Sequence, residues 1–259
     1  MKRLLLLAVV CALALPAQAQ LFHRYSFDDG VLDSIGGAHG TLEGGATVSG
    51  GALNLGGGGA HASLPGGVIQ INTYDALTLE LWLTSSPLNT SFTMAAVLGR
   101  TYNASAGEPD WAGYQYIMVQ PTRDDDVARV AITRNRFEEE SGINRAPEIN
   151  DGVEHYIAVT VNSTDLAFYL DGSLVATAPL GENTLDKLSN DLAYLGRSVY
   201  QFDPYFVGSI NEFRIWGNAL SADQIAAQFD AGPNVVVPEP SAAALLGLSL
   251  LGLAFRRRA

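Results

Sequence analysis

Carboxylate residues are the first candidates for chemistry, because enzymes that hydrolyse glycosidic bonds use two carboxylates facing one cleft. A Glu-x-Asp-x-Glu pattern, which would place three acids on one face of a strand, is absent from the sequence. Glu80 has Thr78 and Trp82 as its neighbours on the same strand face. In Glu138–Glu140 only the two outer acids can share a face, and we expect this segment to be an exposed loop. Asp124–Asp126 is typical of a solvated turn with at most weak affinity for Ca²⁺, so the acids predict no catalytic pair.

The other side chains that do covalent or metal chemistry are scattered. His23 and His155 stand at predicted strand starts, His39 and His61 stand in Gly-rich loops, and no metal-ligand spacing links them. No Gly-x-Ser-x-Gly motif is present, and Cys11 is the only cysteine. We predict that the protein is not an enzyme.

The N-terminal segment has the three parts of a secretory signal. A basic start precedes the apolar run Leu4–Leu15, and the small residues Ala17 and Ala19 form a cleavage site before Gln20. We therefore predict export and removal of this segment by signal peptidase. The single cysteine is removed with it, so no disulfide stabilises the mature protein.

The C-terminal segment combines a Pro-Glu-Pro motif, a short apolar run and an arginine cluster. The motif consists of Pro238, Glu239 and Pro240. Its prolines oppose both helix and sheet. Ala242–Phe255 is apolar but shorter than the ~20 residues that span a bilayer, which predicts a transmembrane helix held only marginally in a membrane. The cluster that would stay on the cytoplasmic side consists of Arg256, Arg257 and Arg258. A permanent anchor is the alternative.

Net charge excludes one class of partner. The chain has 15 basic and 27 acidic residues and a formal net charge of −12. Five of the basic residues and one of the acidic residues lie in the two terminal segments, which leaves 10 basic and 26 acidic residues, a formal charge of −16, in the middle. Nucleic acid would be repelled by this charge, so we exclude it as a partner.

Hydrophobic alternation predicts strands throughout the middle of the chain. The alternate leucines over 77–83 share one strand face, and Asp165–Leu170 leads through Asp171-Gly172, which favours a tight turn, into a second strand at 173–178. Further strands are predicted at 22–27, 52–55, 62–64, 94–100, 114–120, 127–134, 154–162, 192–196 and 206–216. About a dozen short strands imply two stacked antiparallel sheets.

One helix is predicted near the end of the middle. Ser221 is a natural N-cap, Gln224 three residues later completes a capping box, and Gly232 ends the helix. Ile225 and Phe229 lie on one face of this helix and would hold it against the sheets.

The order of these motifs resembles the laminin-G-like, concanavalin A-like jelly-roll domains of secreted bacterial proteins. HRYSFDDGVLDSIGGAHG, LTLELWLT, EHYIAVTVNSTDLAFYLDG and GSINEFRIWGNALSADQI follow in the family's order and cover nearly all of residues 21–232. The resemblance implies an all-β, two-sheet antiparallel jelly-roll sandwich with one short C-terminal helix. We therefore place a signal peptide at 1–19, the jelly-roll domain at 20–232, and a linker with a sorting signal at 233–259.

The segment VPEPSAAALLGLSLLGLAFRRRA resembles the PEP-CTERM sorting signal of Gram-negative bacteria. The resemblance implies an exosortase-type membrane protease as a partner, with cleavage near the Pro-Glu-Pro motif. It also implies transient anchoring in the inner membrane, followed by delivery to the cell surface or the extracellular polysaccharide matrix.

A calcium site is expected by the same family resemblance, since many such jelly rolls hold one structural Ca²⁺ where the first and last strands meet. Asp28 and Asn211 occupy the matching positions, and Asp33 or a glycine carbonyl would complete the site. Relatives often have Asp in place of Asn211, and the lost charge weakens a site for a hard cation. Capping turns and solvated acids are the alternative.

Aromatic residues in long irregular stretches are the candidates for ligand binding, because their flat faces match the apolar faces of sugar rings. They are Tyr102, Trp111, Tyr200 and Tyr205. Covering the core under long loops is the alternative for these side chains. We expect an exported, non-catalytic surface or matrix protein that binds extracellular polysaccharide or a surface protein. A glycoside hydrolase-like enzyme with an unrecognised site is the alternative, and a purely structural component is a third.

Overall fold

The computed structural model describes residues 20–123 and 127–238. The signal peptide with Ala17 and Ala19, the turn Asp124–Asp126, and everything after Pro238 lie outside the described residues, and so do the predictions made for them. Gln20, the predicted first residue of the mature protein, donates its backbone N–H to Asn218 Oδ1 at 3.0 Å. None of the helices within the described ranges is long and apolar enough to cross a bilayer.

The described chain folds mainly as short strands, as the alternation predicts. The strands are β1 (Leu21–Tyr25), β2 (Thr41–Glu43), β3 (Thr47–Ser49), β4 (Ala52–Gly56), β5 (His61–Leu64), β6 (Leu77–Ser85), β7 (Ala96–Thr101), β8 (Gly113–Gln120), β9 (Val127–Thr133), β10 (Ser141–Pro147), β11 (Glu154–Val161), β12 (Asp165–Leu170), β13 (Ser173–Pro179), β14 (Leu192–Leu195) and β15 (Val207–Trp216). The helices are α1 (Gly66–Ile69) and α2 (Ala222–Ala231). Short 3₁₀ turns lie at Ile71–Thr73, Ala104–Ala106, Phe137–Glu139 and Leu185–Lys187.

The strands form two antiparallel sheets. The eight-stranded sheet has the order β13-β12-β11-β6-β15-β4-β3, and β1 pairs with the later half of β15, beyond the part that pairs with β4. The seven-stranded sheet has the order β10-β9-β8-β7-β14-β5-β2. The prediction of an all-β sandwich of two antiparallel sheets is confirmed.

The hydrophobic core lies between the two sheets and fixes which side chains face outward. The alternate leucines over 77–83 are fully buried in one cluster with Ile157 of β11 and Ile117 of β8. Because side chains alternate along a strand, the neighbours of Ile117 on either side, Tyr116 and Met118, point to the outer face of the seven-stranded sheet.

The predicted hairpin between β12 and β13 is confirmed. Asp171 and Gly172 both have positive φ, at 47° and 77°, which this tight turn requires. The Asp171 carboxylate accepts hydrogen bonds from the backbone N–H of Tyr156 at 2.9 Å and from His155 Nδ1 at 2.8 Å. His155 therefore has a structural role at the start of its strand.

Helix α2 covers part of the outer face of the eight-stranded sheet. Its predicted capping box is confirmed: the backbone N–H of Ser221 donates to Gln224 Oε1 at 2.7 Å, and the backbone N–H of Gln224 donates to Ser221 Oγ at 3.3 Å. Ile225 is fully buried, and Phe229 stacks on Tyr156 of β11 with ring centroids 5.9 Å apart. This packing places α2 over β11 and β12.

The residues after α2 lie against the same sheet face. The Arg214 guanidinium donates to the carbonyl of Val235 at 2.9 Å, and the backbone N–H of Asn234 donates to Glu212. The Gln228 amide donates to the carbonyl of Val237 at 3.0 Å and accepts from its N–H at 3.2 Å. The chain is therefore held to the domain as far as Val237, beyond the predicted boundary at residue 232.

Candidate ligand-binding site

A cavity lies on the outer face of the seven-stranded sheet, which α2 does not cover. Its volume is about 560 Å³. The residues that line it are Phe92, Met94, Trp111, Tyr116, Arg123, Arg129, Phe137, Glu140, Tyr200 and Asp203. We call it the aromatic cavity.

The floor of the aromatic cavity is a buried polar network. Glu140 accepts a hydrogen bond from the hydroxyl of Tyr116 and forms an ion pair with Arg129. The Glu140 side chain is 6% exposed, so these partners compensate a charge that burial would otherwise disfavour. The Tyr116 hydroxyl also lies 3.0 Å from the hydroxyl of Tyr200, and burial raises the pKa of Tyr116 well above its ordinary value. The network therefore holds neutral hydroxyls around one paired carboxylate.

The expectation that Glu138–Glu140 form a solvated loop is wrong for Glu140. Phe137–Glu139 is a 3₁₀ turn that joins β9 to β10. It leaves the side chains of Glu138 and Glu139 on the surface, 44% and 40% exposed. Glu140 comes directly before β10, where it meets partners on β8 and β9.

The walls of the aromatic cavity are exposed aromatic rings. Phe92, Trp111 and Phe137 are 53%, 43% and 50% exposed. The ring centroids of Trp111 and Phe137 lie 6.5 Å apart, and the guanidinium of Arg136 lies 5.9 Å from the Trp111 ring. Large apolar rings that converge on one cavity mark a binding surface, whereas single exposed ones are ordinary.

A glycine brings the loop that carries Trp111 close to the segment that carries Tyr200. Gly113 begins β8 directly after this loop, and a Cβ built on it would lie 2.3 Å from Val199 Cγ2 and 3.0 Å from the Tyr200 ring. Any larger residue would therefore push the two segments apart. The approach places Tyr200 beside Tyr116 at the cavity floor.

Asp203 is the second acid of the aromatic cavity. Burial raises the pKa of Asp203 from 3.8 to about 6, against the opposing hydrogen bond that Ser198 Oγ donates at 2.6 Å. Burial also raises the pKa of Tyr200 to about 12. The charge of Asp203 therefore changes around pH 6.

The four predicted ligand-binding aromatics lie in three places. Trp111 and Tyr200 line the aromatic cavity. Tyr102 lines a second, polar cavity of about 760 Å³ together with Arg100 and other residues. Tyr205 lies beside His61, with ring centroids 5.7 Å apart. The structure therefore brings two of the four predicted residues together in one cavity.

Several cavity residues were not predicted. Phe137 stands next to the acids of Glu138–Glu140. An aromatic residue in this predicted loop is the sequence signal that could have identified it. Tyr116 belongs to an apolar run in β8 that reads as buried on both faces. Arg129 and Glu140 come together through strand pairing, which no local pattern reveals.

The three residues of the calcium prediction have different surroundings. Asp33 is buried, and its oxygens accept hydrogen bonds from His23 and from four backbone N–H groups. Asp28 is exposed and accepts from Ser26 Oγ, and Asn211 donates to Glu154. Among the described residues there is no group of three or more His, Cys, Asp or Glu placed to hold a metal ion. Because the Asp33 oxygens already accept these hydrogen bonds, the calcium prediction depends on Asp28 and Asn211.

Glu80 has a structural position on the opposite side of the molecule. It is fully buried beneath α2, where it accepts hydrogen bonds from the hydroxyl of Tyr156 and from Trp216 Nε1 at 2.5 Å. Arg214 Nη1 lies 3.7 Å away. Burial raises the pKa of Glu80, and the Arg214 charge and the two hydrogen bonds oppose this shift.

A sandwich of two antiparallel sheets, with α2 on one outer face, places the domain among the two-sheet β-sandwich folds. The family model described as the concanavalin A-like lectin/glucanases superfamily matches residues 56–226, about two thirds of the chain. The chain belongs to this superfamily.

The chain also carries the sorting motif that its C-terminal sequence resembles. A second family model, described as the PEP-CTERM protein-sorting motif, matches residues 236–258. This motif indicates export, transient anchoring in a membrane through the C-terminus and processing by an exosortase-type system.

Solved structures with the same fold include domain 4 of the extracellular GH43 arabinanase AbnA from Geobacillus stearothermophilus, in complex with arabinotriose. It is 22% identical with a TM-score of 0.64, and the match covers 82% of this chain and 98% of that one. The sialidase CBM40 of Ruminococcus gnavus, bound to α2,3-sialyllactose, is 14% identical with a TM-score of 0.56, covering 68% and 95%. The binding domain of botulinum neurotoxin serotype D/C is 13% identical with a TM-score of 0.59, covering 82% and 52%. At these identities the likeness extends to the fold. A comparison with curated protein sequences found no match.

Proposed function

We propose that the protein is an exported, non-catalytic surface or matrix protein whose domain binds glycan in the aromatic cavity. The convergence of Trp111, Phe137 and Tyr200 on one cavity above a polar floor is the observation that carries this proposal. Stacking of sugar rings on the exposed aromatic faces would supply affinity, and the hydroxyls of Tyr116 and Tyr200 would bind sugar hydroxyls.

The comparisons support a binding role on this fold. Two of the similar structures contain an oligosaccharide, arabinotriose in one and α2,3-sialyllactose in the other. Because both are below 25% identical to this chain, they support the use of the fold for glycan binding and not a particular sugar.

The acids of the cavity favour binding over hydrolysis. A general acid needs a proton to donate, and Glu140 is held by Arg129 and by the Tyr116 hydroxyl, which stabilise its ionised form. Asp203 has a raised pKa, but the described residues that line the cavity include no second, unpaired carboxylate to act with it. A retaining or inverting glycosidase uses two such groups.

The terminal segments give this binding domain its destination. Signal peptidase would release the domain at Ala19–Gln20, and an exosortase-type protease of a Gram-negative bacterium would cleave near Pro238–Pro240. The product would reach the cell surface or the extracellular polysaccharide matrix. There the aromatic cavity would attach it to polysaccharide.

A glycan array with the full-length protein tests the proposal. Trp111→Ala and Phe137→Ala should each weaken binding by about tenfold or more, because each removes an aromatic face that contacts the sugar. Phe202→Ala is the matched control, since Phe202 is 73% exposed and lies outside the cavity lining, and it should bind as the wild type does.

The same protein is then incubated with every glycan that binds, and reducing ends are measured. Release of reducing sugar would overturn the non-catalytic role and favour the hydrolase alternative. A wild-type protein that binds nothing on the array would overturn the binding role and favour a structural component.

A further inference from the structure

A second group of side chains lies on the seven-stranded sheet around Arg197. The guanidinium carbon of Arg197 lies 4.7 Å from the ring centre of Tyr194 and 6.0 Å from that of Tyr205. Its Nη1 lies 3.5 Å from His61 Nε2. We call His61, Tyr194, Arg197 and Tyr205 the arginine–tyrosine cluster.

Arg197 differs from other arginines of this sheet in its partners. Arg100 is paired with Glu108 at 2.7 Å, and Arg129 is paired with Glu140. No carboxylate of the described residues lies within ion-pair distance of Arg197. A guanidinium has five N–H donors, and within the described residues the hydrogen-bond contact of the Arg197 guanidinium is with His61 Nε2.

His61 does not compensate the charge of Arg197. Its Nδ1 lies 2.8 Å from the carbonyl of Gly59, so Nδ1 carries the proton and Nε2 is the acceptor that faces Arg197. Burial lowers the pKa of His61, which keeps the ring neutral. The cluster therefore carries one net positive charge.

The two tyrosines add neutral donors to this charge. Within the described part of the chain, neither the Tyr194 hydroxyl nor the Tyr205 hydroxyl has a hydrogen-bond partner. Their half-buried rings hold the guanidinium by cation–π contacts, which reduces the freedom it would lose on binding. The result is a planar cationic fork in contact with two tyrosine rings, each of which carries a hydroxyl group.

A carboxylate is the ligand group that fits this arrangement. Its two oxygens lie in one plane and accept two parallel N–H bonds from a guanidinium. A neutral sugar would not compensate the positive charge of Arg197. We propose that the arginine–tyrosine cluster binds the carboxylate of an acidic polysaccharide, and this proposal rests on glycan binding at the aromatic cavity.

The cluster and the aromatic cavity lie on the outer face of the same sheet. Tyr194 of β14 pairs with Val97 of β7, which pairs with Met118 of β8. Adjacent strands are ~4.8 Å apart, so the backbones of Tyr194 and Met118 are separated by about 10 Å. Tyr194 and Tyr200 also pack against the same hydrophobic cluster as Tyr116. A single oligosaccharide chain can therefore cross from the cavity to Arg197.

The acidic character of the domain makes Arg197 decisive for this ligand. The formal charge of −16 on the middle of the chain repels a polyanion, although physiological salt limits this repulsion to about 8 Å. The acid next to the cluster is Glu43, an exposed residue of β2 that pairs with His61 of β5. Without Arg197 the local field is negative, so preference for an acidic polymer should disappear.

Affinity electrophoresis of the full-length protein tests the proposal, with polygalacturonate in one gel and its fully methyl-esterified, neutral form in another. The wild type should bind the acidic polymer about tenfold more tightly than the ester. Arg197→Gln should remove this preference, and Arg197→Lys, which keeps the charge without the planar fork, should retain part of it. Tyr205→Phe, which keeps the ring and removes the hydroxyl, should cause a smaller loss of about threefold.

Lys187→Gln is the matched control, because it changes the net charge by the same amount at an exposed residue paired with Asp186. It should leave both affinities unchanged, and melting curves confirm that each variant folds. Equal affinity of the wild type for the two polymers, or an unchanged preference in a folded Arg197→Gln protein, would overturn the proposal. If Trp111→Ala still weakens binding to both polymers, the proposed function stands and this inference alone fails. If neither polymer nor any glycan on the array is retained, both fail.

Discussion

Replacing Glu80 by Gln distinguishes a structural acid from a catalytic one. Glu80 is fully buried, accepts hydrogen bonds from Tyr156 and Trp216, and lies 3.7 Å from Arg214 Nη1. The Gln side chain has nearly the same shape, so the substitution creates no cavity. It removes the negative charge and turns one of the two acceptor oxygens into a donor.

The expected loss of stability follows from the buried charges that remain. Removing one partner of a buried ion pair costs about 3–5 kcal/mol, because the other charge stays buried without compensation. Three features place the loss at the lower limit, at about 3 kcal/mol: Glu212 also pairs with Arg214, the remaining oxygen at position 80 keeps one hydrogen bond, and burial, which raises the pKa of Glu80, itself disfavours the charge that is removed. For a domain of this size the melting temperature should then fall by about 6–12 °C.

Thermal and chemical denaturation of the full-length protein measure this loss. Glu182→Gln makes the same chemical change in an exposed ion pair with Arg134, and it should cost less than about 1 kcal/mol. Tyr156→Phe removes one hydrogen bond to Glu80 and should cost about 1–2 kcal/mol. A Glu80→Gln protein as stable as the wild type would refute the argument from charge compensation. A sugar-release activity that this variant loses without losing stability would make Glu80 catalytic.

Three further predictions concern other parts of the domain. Asp203 holds its proton up to a pH of about 6 in the folded protein, against 3.8 ordinarily, so the contribution of this group to the free energy of unfolding falls as pH rises from 3.8 to about 6. Asp203→Asn should remove this slope in denaturation curves, and an unchanged slope would contradict the assignment. Gln228→Ala removes both hydrogen bonds to Val237 and should speed hydrogen exchange at the Val237 amide by about tenfold, as mass spectrometry of the exchanged protein would detect. If Asp28 and Asn211 hold a structural Ca²⁺, a chelator should lower the melting temperature of the wild type, and an unchanged melt would exclude the site.

The sequence predicts best the strands that pair with another strand on each side. The leucines over 77–83 alternate without interruption, because β6 lies between β11 and β15 at the centre of its sheet. β2 is fully exposed and three residues long, so it shows no alternation. In β10 a bulge between Asn144 and Ala146 shifts the register and breaks the period-two pattern. These two strands were therefore missed, and so was the three-residue strand β3.

The candidate site was predictable where single residues carry the signal. Trp111 and Tyr200 are aromatic residues in long loops, and they do line the cavity. The floor was not predictable, because Tyr116, Arg129 and Glu140 come from β8, β9 and the residue before β10. Their meeting depends on strand register, and a shift of one residue would turn Tyr116 into the core.

The aromatic cavity and the residues up to Val237 lie on different outer faces of the sandwich. Val235 and Val237 are bound by Arg214 and Gln228 on the outer face of the eight-stranded sheet, whereas the aromatic cavity lies on the outer face of the seven-stranded sheet. A glycan in the cavity therefore leaves Val235 and Val237, which precede the Pro-Glu-Pro motif, uncovered. We expect saturating ligand to slow hydrogen exchange in β8 and β9 and to leave the Val237 amide unchanged. Protection of Val237 by ligand would show that the two faces are coupled and would contradict this separation.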